Sequence, residues 1–198
     1  MIAAAAVEYA AGFFGDRSLA MESKMDHAAL ARRVKEVALL EGDFTLRSGK
    51  KSRFYFDKYL FETQPDVLEA MGAEIARRIP AGTQRIAGPE LGAVALAAAA
   101  SLASRLPFFI VRNAKKDYGT SKTIEGKLEA GDKVVLVEDI VTTGGQVIEA
   151  IKNIAAAGAK VVKVVVALDR LEGGRENILK EAPGIDYEPI LTKTDMGM

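Results

Sequence analysis

The segment Val134-Val135-Leu136-Val137-Glu138-Asp139-Ile140-Val141-Thr142-Thr143-Gly144-Gly145-Gln146 changes character twice along its length. Its apolar opening has no polar alternation, which predicts a strand buried on both faces, as in a parallel sheet. Two acids then stand at the strand end, and a Thr-Thr-Gly-Gly turn leads into a helix predicted over 145–157. The turn offers unblocked backbone N–H groups, two hydroxyls and a helix N-terminus, which together suit a phosphate. The carboxylates of Glu138 and Asp139 suit vicinal sugar hydroxyls or a hydrated Mg²⁺. Phosphate and sugar would then be read by adjacent residues, as in a site for ribose 5-phosphate. Neither a Gly-x-x-x-x-Gly-Lys-Ser/Thr loop nor a Gly-x-Gly-x-x-Gly after a strand occurs in the chain.

Outward from this segment, short apolar runs alternate with helices. Strands are predicted at 86–87, 108–111, 134–137 and 161–167, with an alanine-rich buried helix at 92–101. The alternation implies an α/β fold: a central, mostly parallel sheet flanked by helices, with right-handed crossovers. Ligands bind such sheets beyond the carboxyl ends of the strands, so the residues after Ala87, Val111, Val137 and Ala167 are where chemistry is expected. The polar segment 112–132 is longer than an idle connection and has the length of a lid. Before the alternation, Asp26 is a candidate N-cap for a helix whose stripe is Leu30, Val34, Val37, Ala38 and Glu41, ended by Gly42. Phe54-Tyr55-Phe56 suits a short strand, and Pro65 opens a helix to about residue 78 with Leu68, Met71, Ile75 and Ile79 on one face.

Composition narrows the classes. The chain has 198 residues, 27 Lys plus Arg against 27 Asp plus Glu, and no Cys. One core is expected at this size: a single domain over 25–198, with a small N-terminal hood over about 25–64 completed by the C-terminal segment. Residues 1–24 form an appendage, expected to be dispensable for folding and activity. Zero cysteine excludes disulfides, thiolate metal sites and sulfur nucleophiles, and fits a cytoplasmic location. Zero net charge lacks the footprint of a general nucleic-acid binder. No apolar run approaches the roughly 20 residues needed to cross a bilayer. His27, the one histidine, is expected at the surface, which excludes histidine base schemes.

The segment 134–146 resembles the phosphoribosyl-pyrophosphate motif of the type I phosphoribosyltransferases, and three further blocks narrow the resemblance to the orotate phosphoribosyltransferase family. Leu46-Arg47-Ser48-Gly49-Lys50-Lys51-Ser52-Arg53-Phe54-Tyr55-Phe56-Asp57 resembles that family's N-terminal substrate segment. The segment 112–126, with Lys115-Lys116-Asp117-Tyr118-Gly119, resembles its mobile catalytic loop, and Ala167-Leu168-Asp169-Arg170 followed by Gly173-Gly174 resembles a later substrate-contacting turn.

The resemblance implies the type I fold and transfer of ribose 5-phosphate from phosphoribosyl pyrophosphate to orotate. The products would be orotidine 5′-monophosphate and pyrophosphate, in the de novo route to UMP. It implies Arg112, Lys116 and Asp139 as catalytic groups. The donor would be bound by Arg112, Lys115, Lys116, Tyr118, Glu138, Asp139, Ile140, Val141, Thr142, Thr143, Gly144, Gly145 and Gln146. Arg47, Phe56, Thr142 and Arg170 would bind orotate. Mg²⁺ would be carried by the donor's pyrophosphate and ribose hydroxyls, with Glu138 or Asp139 touching it through water. A homodimer is implied, loop 112–126 of each subunit closing over the neighbouring site.

Two departures stand out: Asn113 where the family's loop often has lysine, and Leu91 and Ala93 in the turn Gly88-Pro89-Glu90-Leu91-Gly92-Ala93-Val94-Ala95, where some members have lysine and glycine. Glu90 must point away from pyrophosphate there or reach Mg²⁺. A transferase for another base and a non-catalytic sensor of donor or nucleotide are the alternatives.

Overall fold

The computed structural model describes residues 25–45, 49, 51–112 and 123–197. Asp26 caps the first helix, α1 (His27–Ala38), accepting the Ala29 N–H at 2.7 Å, and the helix buries Leu30, Ala31, Val34 and Ala38. It ends at Ala38 rather than at Gly42. Leu39 is already extended and starts β1 (Leu39–Thr45), which pairs antiparallel with β2 (Lys51–Phe56), Leu39 opposite Phe56 and Leu40 opposite Tyr55. Each leucine faces an aromatic residue across the pair, a cross-strand contact that a helical turn through Glu41 and Gly42 would not make. The predicted aromatic strand is therefore one arm of a hairpin.

Asp57 next caps a short helix, α2 (Lys58–Glu62), accepting the Tyr59 N–H at 3.1 Å. Then α3 (Pro65–Arg77) starts on its proline, as predicted, and buries Val67, Ala70, Met71 and Ile75, with Leu68 and Ile79 half-buried on the same core.

The main sheet has six strands: β3 (Arg85–Pro89), β4 (Phe108–Val111), β5 (Ile124–Glu125), β6 (Lys133–Val141), β7 (Lys160–Asp169) and β8 (Asp186–Thr192). Their order is β5-β4-β3-β6-β7-β8, and every pairing is parallel except β4 with β5. Between them run α4 (Ala93–Ser104), α5 (Gly145–Ala156) and α6 (Gly174–Glu181). Alternate residues of β6 feed two cores. Val135 and Val137 pack with α1, α3 and α4 on one face, whereas Val134 and Leu136 pack with Val147 and Ile154 of α5 and Ile178 of α6 on the other. Both faces are covered, which is why the strand reads as an unbroken apolar run.

Several expectations change in detail. Strand β6 runs through both acids to Val141, so Glu138 and Asp139 lie within the strand rather than beyond it, and Ile140 and Val141 complete it. Within the long polar segment, residues 124–125 form β5, which pairs antiparallel with β4, Ile124 opposite Val111 and Glu125 opposite Ile110. The alanine-rich helix reaches Ser104 and is buried on one side only, since Leu102 is exposed. Neither α6 nor β8 was predicted. The appendage 1–24 lies outside the described residues.

Candidate functional site

Glu138 and Asp139 come in on β6, both buried. Asp139 Oδ2 accepts a hydrogen bond from Lys58 Nζ at 2.6 Å, and Oδ1 accepts the Ile140 N–H. Glu138 Oε1 accepts the Asp139 N–H at 3.2 Å, while its Oε2 is buried with no hydrogen-bond partner. From α2 comes a third acid, Glu62, also buried, whose Oε1 is likewise unpartnered. Burial and the negative charge of Asp139 push the Glu62 carboxyl up to about 8, against the pull of Lys58. Burial, then the charge of Asp139, raises Glu138 well above the usual carboxylate range. Burial works against the Lys58 ammonium, but its hydrogen bond and charge contact with Asp139 outweigh that and leave its pKa raised. One ammonium thus serves three buried carboxyl groups, and an acidic cluster of this kind favours further positive charge.

The turn after β3 closes on this pocket. Strand β3 continues through Gly88 and Pro89, so the turn proper is Glu90-Leu91-Gly92, with a cis peptide between Glu90 and Leu91. A Cβ on Gly92 would lie 1.6 Å from Asp139 Oδ2 and 2.8 Å from Glu62 Oε1. Only a glycine lets this backbone reach the acids.

Beyond Val141, the turn Thr142-Thr143-Gly144-Gly145-Gln146 delivers α5. Gly144 has φ 82°, and no side chain caps the helix, so its first-turn amides face outward without an intrahelical partner. Helix α6 braces this turn from behind: Asn177 Nδ2 donates to the Thr143 carbonyl at 3.0 Å, and a Cβ on Gly174 would lie 2.3 Å from Val141 Cγ1. Ile140 is half-buried, and the Val141 carbonyl accepts the Arg170 N–H at 2.9 Å. That bond brings the turn after β7 alongside the 142–146 turn.

Arg170 is about half exposed, its Nε 3.0 Å from Glu172 Oε1. Beneath it Asp169 is buried, accepting the Leu171 N–H at 2.8 Å and the Tyr187 hydroxyl at 2.7 Å. Burial and that bond raise the Tyr187 pKa, so it stays a donor. Arg112 follows β4, and its guanidinium lies 3.9 Å from both Glu90 and Glu125. Glu90 therefore turns toward Arg112. The Arg112 N–H donates to the Thr123 carbonyl at 2.8 Å, drawing together the two ends of the segment between them.

Phe56 is half-buried with its ring centroid 6.0 Å from that of Phe61, while Phe54 and Tyr55 are exposed. His27 is exposed, as expected, with Nε2 3.0 Å from the Ile190 carbonyl. Arg47, Asn113, Lys115, Lys116 and Tyr118 lie outside the described residues.

The structure brings Glu138, Asp139, the 142–146 turn and Arg170 to one end of the sheet, with Arg112 at the end of β4, separated from β6 by β3. Lys58 and Glu62 escaped the sequence reading. Their signal was present: a charged pair four residues apart, directly after a capping aspartate, around Leu60 and Phe61.

Residues 65–182 match the family model described as the phosphoribosyl transferase domain. The orotate phosphoribosyltransferase of Methanocella arvoryzae is 52% identical over 155 residues, covering 78% of this chain and 87% of that one. That of Methanocaldococcus jannaschii is 45% identical over 164 residues, covering 82% and 92%. Among solved structures, Mycobacterium tuberculosis orotate phosphoribosyltransferase superposes with a TM-score of 0.77 at 30% identity, covering 88% of this chain and 100% of the other. The same enzyme in complex with 5-phospho-α-D-ribosyl 1-diphosphate gives a TM-score of 0.72. With relatives this similar over most of its length, the chain belongs to the orotate phosphoribosyltransferases.

Proposed function

We propose that the chain transfers ribose 5-phosphate from phosphoribosyl pyrophosphate to N1 of orotate, giving orotidine 5′-monophosphate and pyrophosphate. The observation that carries this reading is the buried Glu138–Asp139 pair running directly into an uncapped helix N-terminus. The amides and hydroxyls of 142–146 hold the 5′-phosphate, and the acids take the ribose hydroxyls one step back along the strand. The bond from C1 of the ribose to pyrophosphate breaks as the bond from N1 of orotate forms, and the N1 proton is released. Positive charge on C1 is met by the Asp139 carboxylate, and negative charge on the leaving group by Arg112, Lys115 and Lys116, with Tyr118 as a further donor-binding residue. For Arg112 this means leaving Glu90 and Glu125. Orotate's carboxylate and ring carbonyls suit the planar fork of Arg170 and the charge of Arg47, with Phe56 and Thr142 at the ring.

Among the described residues no three His, Cys, Asp or Glu side chains converge as a metal site. The acids present fit a Mg²⁺ that arrives on the donor's pyrophosphate and ribose hydroxyls, Glu138 or Asp139 reaching it through water. Bound there, a Mg²⁺ would supply positive charge against the leaving group. The homodimer, with loop 112–126 closing over the partner's site, rests on the family resemblance and would exclude water from the donor. A cytoplasmic setting follows the same reading. No helix among the described residues is long and apolar enough to cross a membrane.

The test is Mg²⁺-dependent loss of orotate absorbance with phosphoribosyl pyrophosphate, beside uracil, hypoxanthine and adenine. Consumption of orotate alone is expected. Consumption of another base instead would reassign the acceptor, and donor binding without turnover would make the chain a sensor.

A further inference from the structure

Helix α2 belongs to the N-terminal hairpin by sequence, yet it ends inside the ribose pocket. Lys58 Nζ stands 2.6 Å from Asp139 Oδ2, and its side chain keeps 30% exposure where the carboxylate has 3%. The ammonium therefore reaches the acid from the open side of the pocket. One turn along the same helix, Glu62 is buried with Oε1 unpartnered. Gly92 closes a third side, so near to both acids that a single methyl group would overlap Asp139 Oδ2. A carboxylate so enclosed keeps a fixed charge and orientation only when a cation and a donor hold it. Lys58 supplies the first on Oδ2, and the Ile140 N–H the second on Oδ1. Each oxygen retains a lone pair, so an Asp139 held at both oxygens can still accept a hydroxyl.

We propose that Lys58 is a positioning residue of the transfer reaction: carried in on α2, it fixes the Asp139 carboxylate in the plane from which it accepts the donor's ribose hydroxyls. The proposal rests on reading Asp139 as the ribose-binding acid. It makes the N-terminal hairpin unit part of the donor site as well as of the base site. Asp57 sets the geometry, since capping α2 fixes the direction in which Lys58 leaves the helix.

The experiment compares the full chain with Lys58→Met and Lys58→Arg. Donor affinity with Mg²⁺ is measured by calorimetry without orotate, and KM for each substrate and kcat by turnover. Lys58→Met should weaken phosphoribosyl pyrophosphate at least about tenfold and leave the orotate KM within about twofold, with Lys58→Arg recovering most of the loss. A purely structural lysine would lower the melting temperature and leave this split unmoved. Unchanged donor affinity in Lys58→Met, equal losses for both substrates, or no recovery by arginine would overturn the proposal. If Lys58→Met does not fold, Lys58→Gln takes its place, and a second failure to fold would make Lys58 structural and the proposal wrong. Because calorimetry needs no acceptor, an enzyme that binds donor but ignores orotate would sink the functional reading while still deciding the role of Lys58.

Discussion

Gly92 has an ordinary helical φ of −62°, so its missing side chain answers to space rather than to backbone strain. Gly92→Ala should displace Asp139 and raise the donor KM at least about tenfold, an effect of about 1.4 kcal/mol, with the fold intact by circular dichroism. A variant with wild-type kinetics would mean that the turn moves aside freely. Arg170 makes the opposite prediction. Its guanidinium is half exposed and assigned to the base, so Arg170→Ala should weaken orotate much more than the donor, read as separate KM values. Equal losses would point to damage of the turn that Asp169 and Tyr187 hold.

Helix α6 packs against the 142–146 turn, through Asn177 on the Thr143 carbonyl and Gly174 against Val141. Gly174→Ala would press a methyl group into Val141 and the Thr142 carbonyl, overpacking that costs about 1–3 kcal/mol and that thermal unfolding would register. The starts of β3 and β6 are joined by Arg85 Nε and Asp132 Oδ2 at 2.5 Å, with the Glu129 N–H on the same oxygen at 2.9 Å. Burial opposes ionisation of Asp132, but the Glu129 amide and Arg85 outweigh it and lower its pKa. The stabilisation is therefore present above the ordinary carboxylate pKa, about 3.9, and is lost as pH falls through the lower folded value. Asp132→Asn should be less stable at neutral pH and show a shallower loss below about pH 4 in unfolding curves recorded across pH.

At this scale the sequence was uneven to read. The central strands declared themselves because burial on both faces leaves only apolar residues. The edge strand β8 carries Asp186, Glu188 and Pro189, and α6 buries little beyond Gly174 and Ile178, so neither has the periodicity that marks an element. The end of α1 was missed because Leu39 and Leu40 extend a helical stripe as well as they start a strand, and only pairing with β2 separates the two. Glu138, Asp139 and the glycine turn were legible as local chemistry. Lys58 and Glu62 were not, because a contact across 81 positions, from Lys58 to Asp139, is a property of the fold.

At the scale of the whole molecule, the proposed reaction needs the hood, the sheet edge and the loop to act together on one donor. If loop 112–126 serves the neighbouring site, Lys116→Ala and Asp139→Asn should each be at least about tenfold slower alone. Mixed subunits should complement each other: random pairing makes half the dimers hybrid with one intact site each, restoring roughly a quarter of wild-type activity. No recovery on mixing would place the loop over its own subunit's site. Removing residues 1–24 should leave folding and turnover unchanged, as judged by melting temperature and kcat/KM.

The most direct measurement is mass-spectrometric identification of the products formed from orotate and phosphoribosyl pyrophosphate with Mg²⁺, wild type beside Asp139→Asn. The account predicts orotidine 5′-monophosphate and pyrophosphate in equal amounts from the wild type, at a rate at least about tenfold above the variant. Donor broken down without the nucleotide, or the nucleotide formed equally fast by Asp139→Asn, would contradict it.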